Sequence, residues 1–119
     1  MGGWWSGLMR SAEAQEAVEL TDQRVETGSA PICDCSRGQR VAVCGTLRSV
    51  TFRPRAKSPA VEAEVYDGTG HLTLVWLGRR SLRGVEAGRM IVARGRVTFP
   101  HGDPVIYNPD YELLPVSAS

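Results

Sequence analysis

Val61-Glu-Ala-Glu-Val-Tyr66, Asp67-Gly-Thr-Gly70 and Leu72-Thr-Leu-Val-Trp-Leu77 decide how this chain is read. The first and third stretches alternate apolar and polar residues, the period of a strand with one face buried. The glycines between them permit the positive φ that a tight hairpin needs. Glu62 and Glu64 then point to solvent, and the hairpin lies at the centre of a small sheet.

Outward from the hairpin the pattern stays β. A first strand is expected over about 39–53, followed by a loop carrying Pro54, Arg55, Lys57 and Pro59. The hairpin supplies strands over 60–66 and 71–77. Residues 78–88 form a connector with room for one helical turn. A fourth strand covers about 89–99, Pro100-His-Gly-Asp103 turns the chain, and a fifth strand runs irregularly from Pro104 to Leu114, broken at Pro109. Gly38 to Leu47 and Gly88 to Val97 echo each other at an offset of fifty residues. Each opens on a turn glycine and has another in mid-strand, Gly45 and Gly95, where glycine marks a bulge or a sharp bend. Upstream, 11–27 reads as a helix with Ser11 as N-cap, Gly28 as its stop and a thin apolar face of Ala14, Ala17, Val18, Thr21 and Val25. It is expected to be a mobile arm or to dock weakly. The expected organisation is an acidic arm or helix over 1–30, one β domain over 31–116 and a tail over 117–119.

Composition narrows the function. At 119 residues the chain holds one domain plus an appendage. It has neither a signal-peptide pattern nor an apolar run of membrane-spanning length, so a cytoplasmic location is expected. Cys33, Cys35 and Cys44 do not make a disulfide framework, and His71 and His101 are not at zinc-site spacing, so neither metal nor cofactor is expected. No nucleophile–base order or phosphate-cradling glycine loop stands out, and a non-catalytic role follows. The net charge of +1 hides an asymmetry. Residues 1–35 carry two arginines against six acids, a balance of −4, whereas residues 37–96 carry twelve cations against four acids, a balance of +8. A basic domain with an acidic appendage is a cue for nucleic acid.

The arrangement of five strands, the first and fourth bent, with a connector between the third and fourth, is the plan of the OB-fold, a Greek-key barrel. Val43-Cys-Gly45-Thr-Leu47, Asp67-Gly-Thr-Gly70 and Gly95-Arg-Val97 resemble the anticodon-binding type of OB domain. That type occurs in class II tRNA synthetases, the bacterial replicative polymerase alpha subunit and the wedge domain of the RecG helicase. Asn108-Pro-Asp-Tyr111 resembles the close of that wedge. Over about 30–115 the chain resembles short stand-alone OB-fold nucleic-acid-binding proteins of actinobacteria, with Pro31-Ile32 before the first strand and the stretch Val75-Trp-Leu-Gly-Arg-Arg80. The resemblance implies an all-β, five-stranded OB-fold barrel with an N-terminal helix or arm. It also implies a single-stranded nucleic-acid ligand, with DNA favoured by the likeness to RecG, but no synthetase or helicase activity.

OB-folds hold single strands across strands 2 and 3, between the loops that follow strands 1 and 4. The expected phosphate contacts are therefore Arg53, Arg55 and Lys57 in the first of these loops, Arg48, Arg94 and Arg96 on the outward phase of strands 1 and 4, and Arg79 and Arg80 after strand 3. Phe52 and Tyr66 are the expected stacking residues. Trp76 is a candidate too, although it shares phase with Leu72 and Leu74, which points to the core. Phe99 is placed in the core, and Tyr107 and Tyr111 at the end of the barrel. The competing reading is a protein-interaction module that uses the barrel and the acidic arm.

Overall fold

In the computed structural model, which describes residues 19–20, 22–54 and 58–115, one strand organises the others. β1 (Arg40–Arg53) is fourteen residues long and pairs with two different neighbours. Its first half lies antiparallel to β4 (Met90–Thr98), from Arg40↔Arg96 to Thr46↔Met90. Its second half lies antiparallel to β2 (Ala60–Tyr66), from Thr46↔Tyr66 to Arg53↔Ala60. β2 forms the expected hairpin with β3 (His71–Leu77), β3 pairs in parallel with β5 (Val105–Tyr107), and β5 returns to β4. These pairings make one sheet whose strands 1, 2, 3, 5 and 4 close a ring. β6 (Asp110–Leu113) is added to β4 beyond β5. The expected fifth strand is thus two short ones, separated at Asn108 and Pro109. Its break follows from Asn108, whose φ of 52° no extended strand continues through. The connector 78–88 contains turns but no helix.

The two echoing segments prove to be partners: the first half of β1 is laid directly against β4. Their mid-strand glycines serve close approach. A Cβ on Gly45 would run into the Tyr66 carbonyl of β2, and one on Gly95 into the Ile106 side chain of β5. The irregularity itself lies further on, between Leu47 and Ser49, where β1 leaves β4 for β2. That bulge reverses the phase of the strand. Val41, Val43 and Leu47 point inward before it, and Val50 packs on the core after it. Inside the ring Leu47, Val65, Leu72, Leu74, Ile91 and Ile106 are fully buried. At about 1.5–3 kcal/mol per buried aliphatic side chain, this cluster is the main source of stability.

The turn between β2 and β3 is more than a connection. Asp67 has no solvent exposure. Its Oδ1 accepts from the Thr69 N–H (2.8 Å), the Thr69 hydroxyl (2.6 Å) and the Gly70 N–H (3.1 Å). Its Oδ2 accepts from the Ile32 N–H (2.8 Å), which fixes the single 3-10 turn Ile32–Asp34 over the end of the ring. Gly70 allows that approach, because a Cβ there would press on Ile32 at 3.3 Å. Arg24 completes the junction, 3.9 Å from Oδ2 and donating to the Asp67 carbonyl at 3.4 Å.

Arg24 belongs to a helical segment, residues 22–27, that is docked rather than loose. Leu20, Arg24 and Thr27 fall on one helical stripe, at spacings of four and three. Leu20 is 3% exposed, and the outward-facing pair Cys44 and Val92 of β1 and β4 is buried as well. Val25, expected on the docking face, is 73% exposed. Ala14, Ala17, Val18 and Thr21 lie outside the described residues.

Replacing Asp67 with Ala strands three backbone donors and one partly buried arginine. The expected loss is about 3 kcal/mol or more, because each unsatisfied buried donor costs roughly 1–3 kcal/mol. Urea unfolding followed by tryptophan fluorescence measures it, and Thr69→Ala, which removes one of the donors to this carboxylate, should cost about 1 kcal/mol.

Candidate functional site

The outward side of the ring divides into two levels. At the turn end, Tyr66 stands beside His71, with ring centroids 4.9 Å apart. The Arg48 guanidinium lies over the Tyr66 ring at 4.7 Å, a cation–π contact. His71 Nδ1 is 2.7 Å from Glu64 Oε1. Arg48 reaches Tyr66 because it sits in the bulge, between the paired residues Leu47 and Ser49 of β1. Tyr66 is therefore half-covered on its outward side.

The other level runs across the sheet as Thr51, Glu62, Val75 and Tyr107, all in register. Arg53 Nε donates to Glu62 Oε2 at 2.9 Å, so the two outward carboxylates of β2 are each matched to a positive or protonatable neighbour. Exposed ion pairs of this kind are worth about 0–1 kcal/mol, and a phosphate can displace the carboxylate at little cost. Leu77 and Tyr107 are 47% and 46% exposed on this side. Arg79 and Arg80 follow Leu77 and are exposed. The Gly78 N–H donates to the Pro59 carbonyl at 2.7 Å, so the loop after β1 and the connector after β3 meet at the same end. Arg55 and Lys57 of that loop lie outside the described residues.

β4 contributes Arg94 and Arg96. Arg96 Nη1 donates to the Gly38 carbonyl at 2.6 Å, and Arg94 Nη2 lies 3.9 Å from Glu112. Both are exposed, on a strand that pairs with the first half of β1, whereas Tyr66 belongs to β2, which pairs with the second half. The expected residues therefore form two groups, one at the β1–β2–β3 surface and one on β4.

Three expectations about aromatics need correction. Trp76 is 5% exposed and belongs to the core, as its phase with Leu72 and Leu74 indicated. Its indole N–H donates to the Pro109 carbonyl at 3.1 Å, and its ring meets Tyr111 edge-on at 5.4 Å. It is not a stacking surface. Phe52 is placed by the bulge in register with Val61 and Trp76, the inward row, and its 43% exposure comes from lying near the end of the strand. Conversely Tyr107, expected at the end of the barrel, faces outward. Ile106 pairs with Leu74 and Val97 and points inward, so its neighbour points out. Tyr111 does pack on the core, as does Phe99.

The thiols have raised pKa values. Burial pushes Cys35 up, with Asp67, Asp34 and Cys33 adding to the shift. Burial also pushes Cys44 up, against the opposing effect of a hydrogen bond with Thr27. Both are protonated and weakly nucleophilic at neutral pH. Among the described residues no group of three or more His, Cys, Asp or Glu side chains is placed to hold a metal ion. Nor is any helix of these residues long and apolar enough to cross a membrane.

No protein-family model matches the sequence. No curated protein matches it either. Among solved structures the chain is similar to RecG in the structure of RecG bound to a three-way DNA junction, with a TM-score of 0.57 and 22% identity. The similarity covers 69% of this chain and 12% of the RecG chain. It is a likeness of fold, to a small part of a much larger protein.

Trp76 and Tyr107 separate by stability. Trp76→Ala should cost about 3–5 kcal/mol, as expected for a buried aromatic, whereas Tyr107→Ala should shift stability by no more than about 1 kcal/mol. Thermal and urea unfolding of the two variants tests the assignment of core and surface.

Proposed function

We propose that the chain is a non-catalytic OB-fold domain that binds single-stranded nucleic acid, DNA in preference to RNA, on the outward side of its closed sheet. The observation that carries this reading is the meeting of cations and exposed aromatic or apolar side chains around one surface. Arg48 and Tyr66 lie at one end, with Arg53, Leu77, Tyr107, Arg79 and Arg80 at the other. Cations supply phosphate contacts that are indifferent to sequence, and ring faces supply stacking at about 1–3 kcal/mol per base. The fold likeness to a part of RecG, a protein solved on a three-way DNA junction, supports a nucleic-acid ligand and favours DNA. With few exposed aromatics, the affinity is modest and strongly dependent on salt.

Fluorescence anisotropy against single-stranded DNA, duplex DNA and RNA at several salt concentrations tests the proposal. Wild type should bind single-stranded DNA with a negative slope of log K against log salt. Replacing Arg53, Arg55 and Lys57 together with Ala should weaken binding to every sequence and flatten the slope by about 0.7 for each phosphate released from its cation. Stability should change by less than about 1 kcal/mol, since the Arg53–Glu62 pair is exposed. A barrel that docks a protein instead would show no salt-dependent oligonucleotide binding in the wild type.

A further inference from the structure

We propose that the bound strand does not stop at β3 but continues across Tyr107 of β5 onto the outward side of β4 and the first half of β1, where Arg96, Arg40 and Arg94 take its phosphates. This rests on the nucleic-acid reading above and specifies the path.

The register places these residues on one level of the ring. Val75 pairs with Tyr107 across β3 and β5, and Arg96 pairs with Arg40 across β4 and β1. The β4–β5 ladder pairs Val97 with Ile106, and the same register carried one step on sets Arg96 opposite Tyr107. Val75, Tyr107, Arg96 and Arg40 thus follow one another around the outside. Strands in a sheet lie about 4.8 Å apart, so the row from Val75 to Arg40 is about 14 Å long. Arg94 lies on the same side, two residues along β4 from Arg96.

Charge favours this direction over β2. The outward side of β2 carries Glu62 and Glu64, so a phosphate there must first displace a carboxylate from Arg53 or His71. β5 offers an uncharged tyrosine, and the far side of it two arginines. Asp110 lies opposite Arg94 on β6 and Glu112 is 3.9 Å from its guanidinium, so these acids bound the positive region at Arg94.

The row also carries a cost that packing does not explain. Like charges directly opposite each other on neighbouring strands are destabilising. Arg40 and Arg96 are such a pair, with Arg94 adjacent. Arg96 is tied to the Gly38 carbonyl, but Arg40 is exposed and forms no ion pair among the described residues. A polyanion that neutralises the pair turns this cost into binding free energy.

The experiment compares the full chain with Arg40→Gln/Arg94→Gln and, separately, Tyr107→Ala. Anisotropy is measured with oligothymidylates of about 6 and about 20 nucleotides, one near the short end of the roughly 4–16 nucleotides held by one such domain and one longer than it. The double variant should bind the long oligonucleotide about fivefold or more weakly, with a slope flattened by about 0.7 for each phosphate no longer neutralised. The short one should be affected less, since it can be held by the loop after β1 alone. Tyr107→Ala should weaken the long oligonucleotide as well. Urea unfolding is the control: removing Arg40 relieves repulsion, so the double variant should be as stable as wild type or more so. Wild-type binding with both variants indistinguishable from it would overturn the path and leave the nucleic-acid reading standing. No salt-dependent binding by wild type would overturn both. Weaker binding accompanied by a matching loss of stability in the double variant would assign the arginines to the fold and overturn the path, even if Tyr107→Ala folds and binds weakly.

Discussion

Everything at one end of this molecule depends on a single buried carboxylate. Asp67 closes the β2–β3 turn with three bonds to Oδ1 and holds the incoming chain with a fourth to Oδ2. A buried carboxylate is costly unless its acceptor sites are filled. Here the donors come from the turn, from the 3-10 segment and, through Arg24, from the helical residues. Its acceptor sites are filled only when all three have assembled. One residue therefore couples a local hairpin to contacts 35 and 43 positions away in sequence. It also explains why Arg24, on the stripe of Leu20 and Thr27, faces the fold. The polar members of that stripe have partners inside the fold, which an apolar count of the helix does not see.

At the opposite side the constraint is steric. A five-strand ring with strands this short brings β1 against both β4 and β2, and β4 against both β1 and β5. Neighbouring strands must approach closely, and glycine stands where they do. Gly45 admits the Tyr66 carbonyl and Gly95 admits Ile106. The far end is then closed by hydrogen bonds around one asparagine. The Asn108 N–H donates to the Val75 carbonyl at 2.6 Å, its Oδ1 accepts from the Leu77 N–H at 2.8 Å, and the next carbonyl takes the Trp76 indole. Asparagine tolerates positive φ better than other side chains, which lets it make both bonds from the break between β5 and β6.

The strands were legible in the sequence because they are amphipathic and bounded by glycine and proline. All of the expected strand segments are present within a residue or so of their expected ends, apart from the last, which is split. The side of the sheet on which a residue falls was legible only as far as the first irregularity. The Leu47–Ser49 bulge has no glycine or proline to announce it, and beyond it Phe52 changes face. Tyr107 was misplaced for a different reason: three residues are too few to establish a period without knowing that Ile106 fills the space left by Gly95. The basic character of 37–96 was plain from composition. Its division between two surfaces was not, because that depends on which strands close the ring.

That closure changes what the charge asymmetry means. On a flat sheet Arg40 and Arg53 would sit at the two ends of one long strand, roughly 43 Å apart at about 3.3 Å per residue. In the ring β1 bends, and both ends come to border the level that contains Tyr107, one through β2 and β3 and the other through β4. The acids are distributed to complement this. Glu62 and Glu64 line β2, which the Val75–Arg40 row leaves behind, while Glu19, Asp22 and Glu26 belong to the helical residues, whose Thr27 bonds Cys44 further along the same side of β1. A polyanion approaching that side meets repulsion over the helix and attraction at the Arg40–Arg96 row, so the acidic segment sharpens the edge of the positive surface. Within a Debye length of about 8 Å at physiological salt, this contrast between neighbouring patches matters more than the net charge of +1.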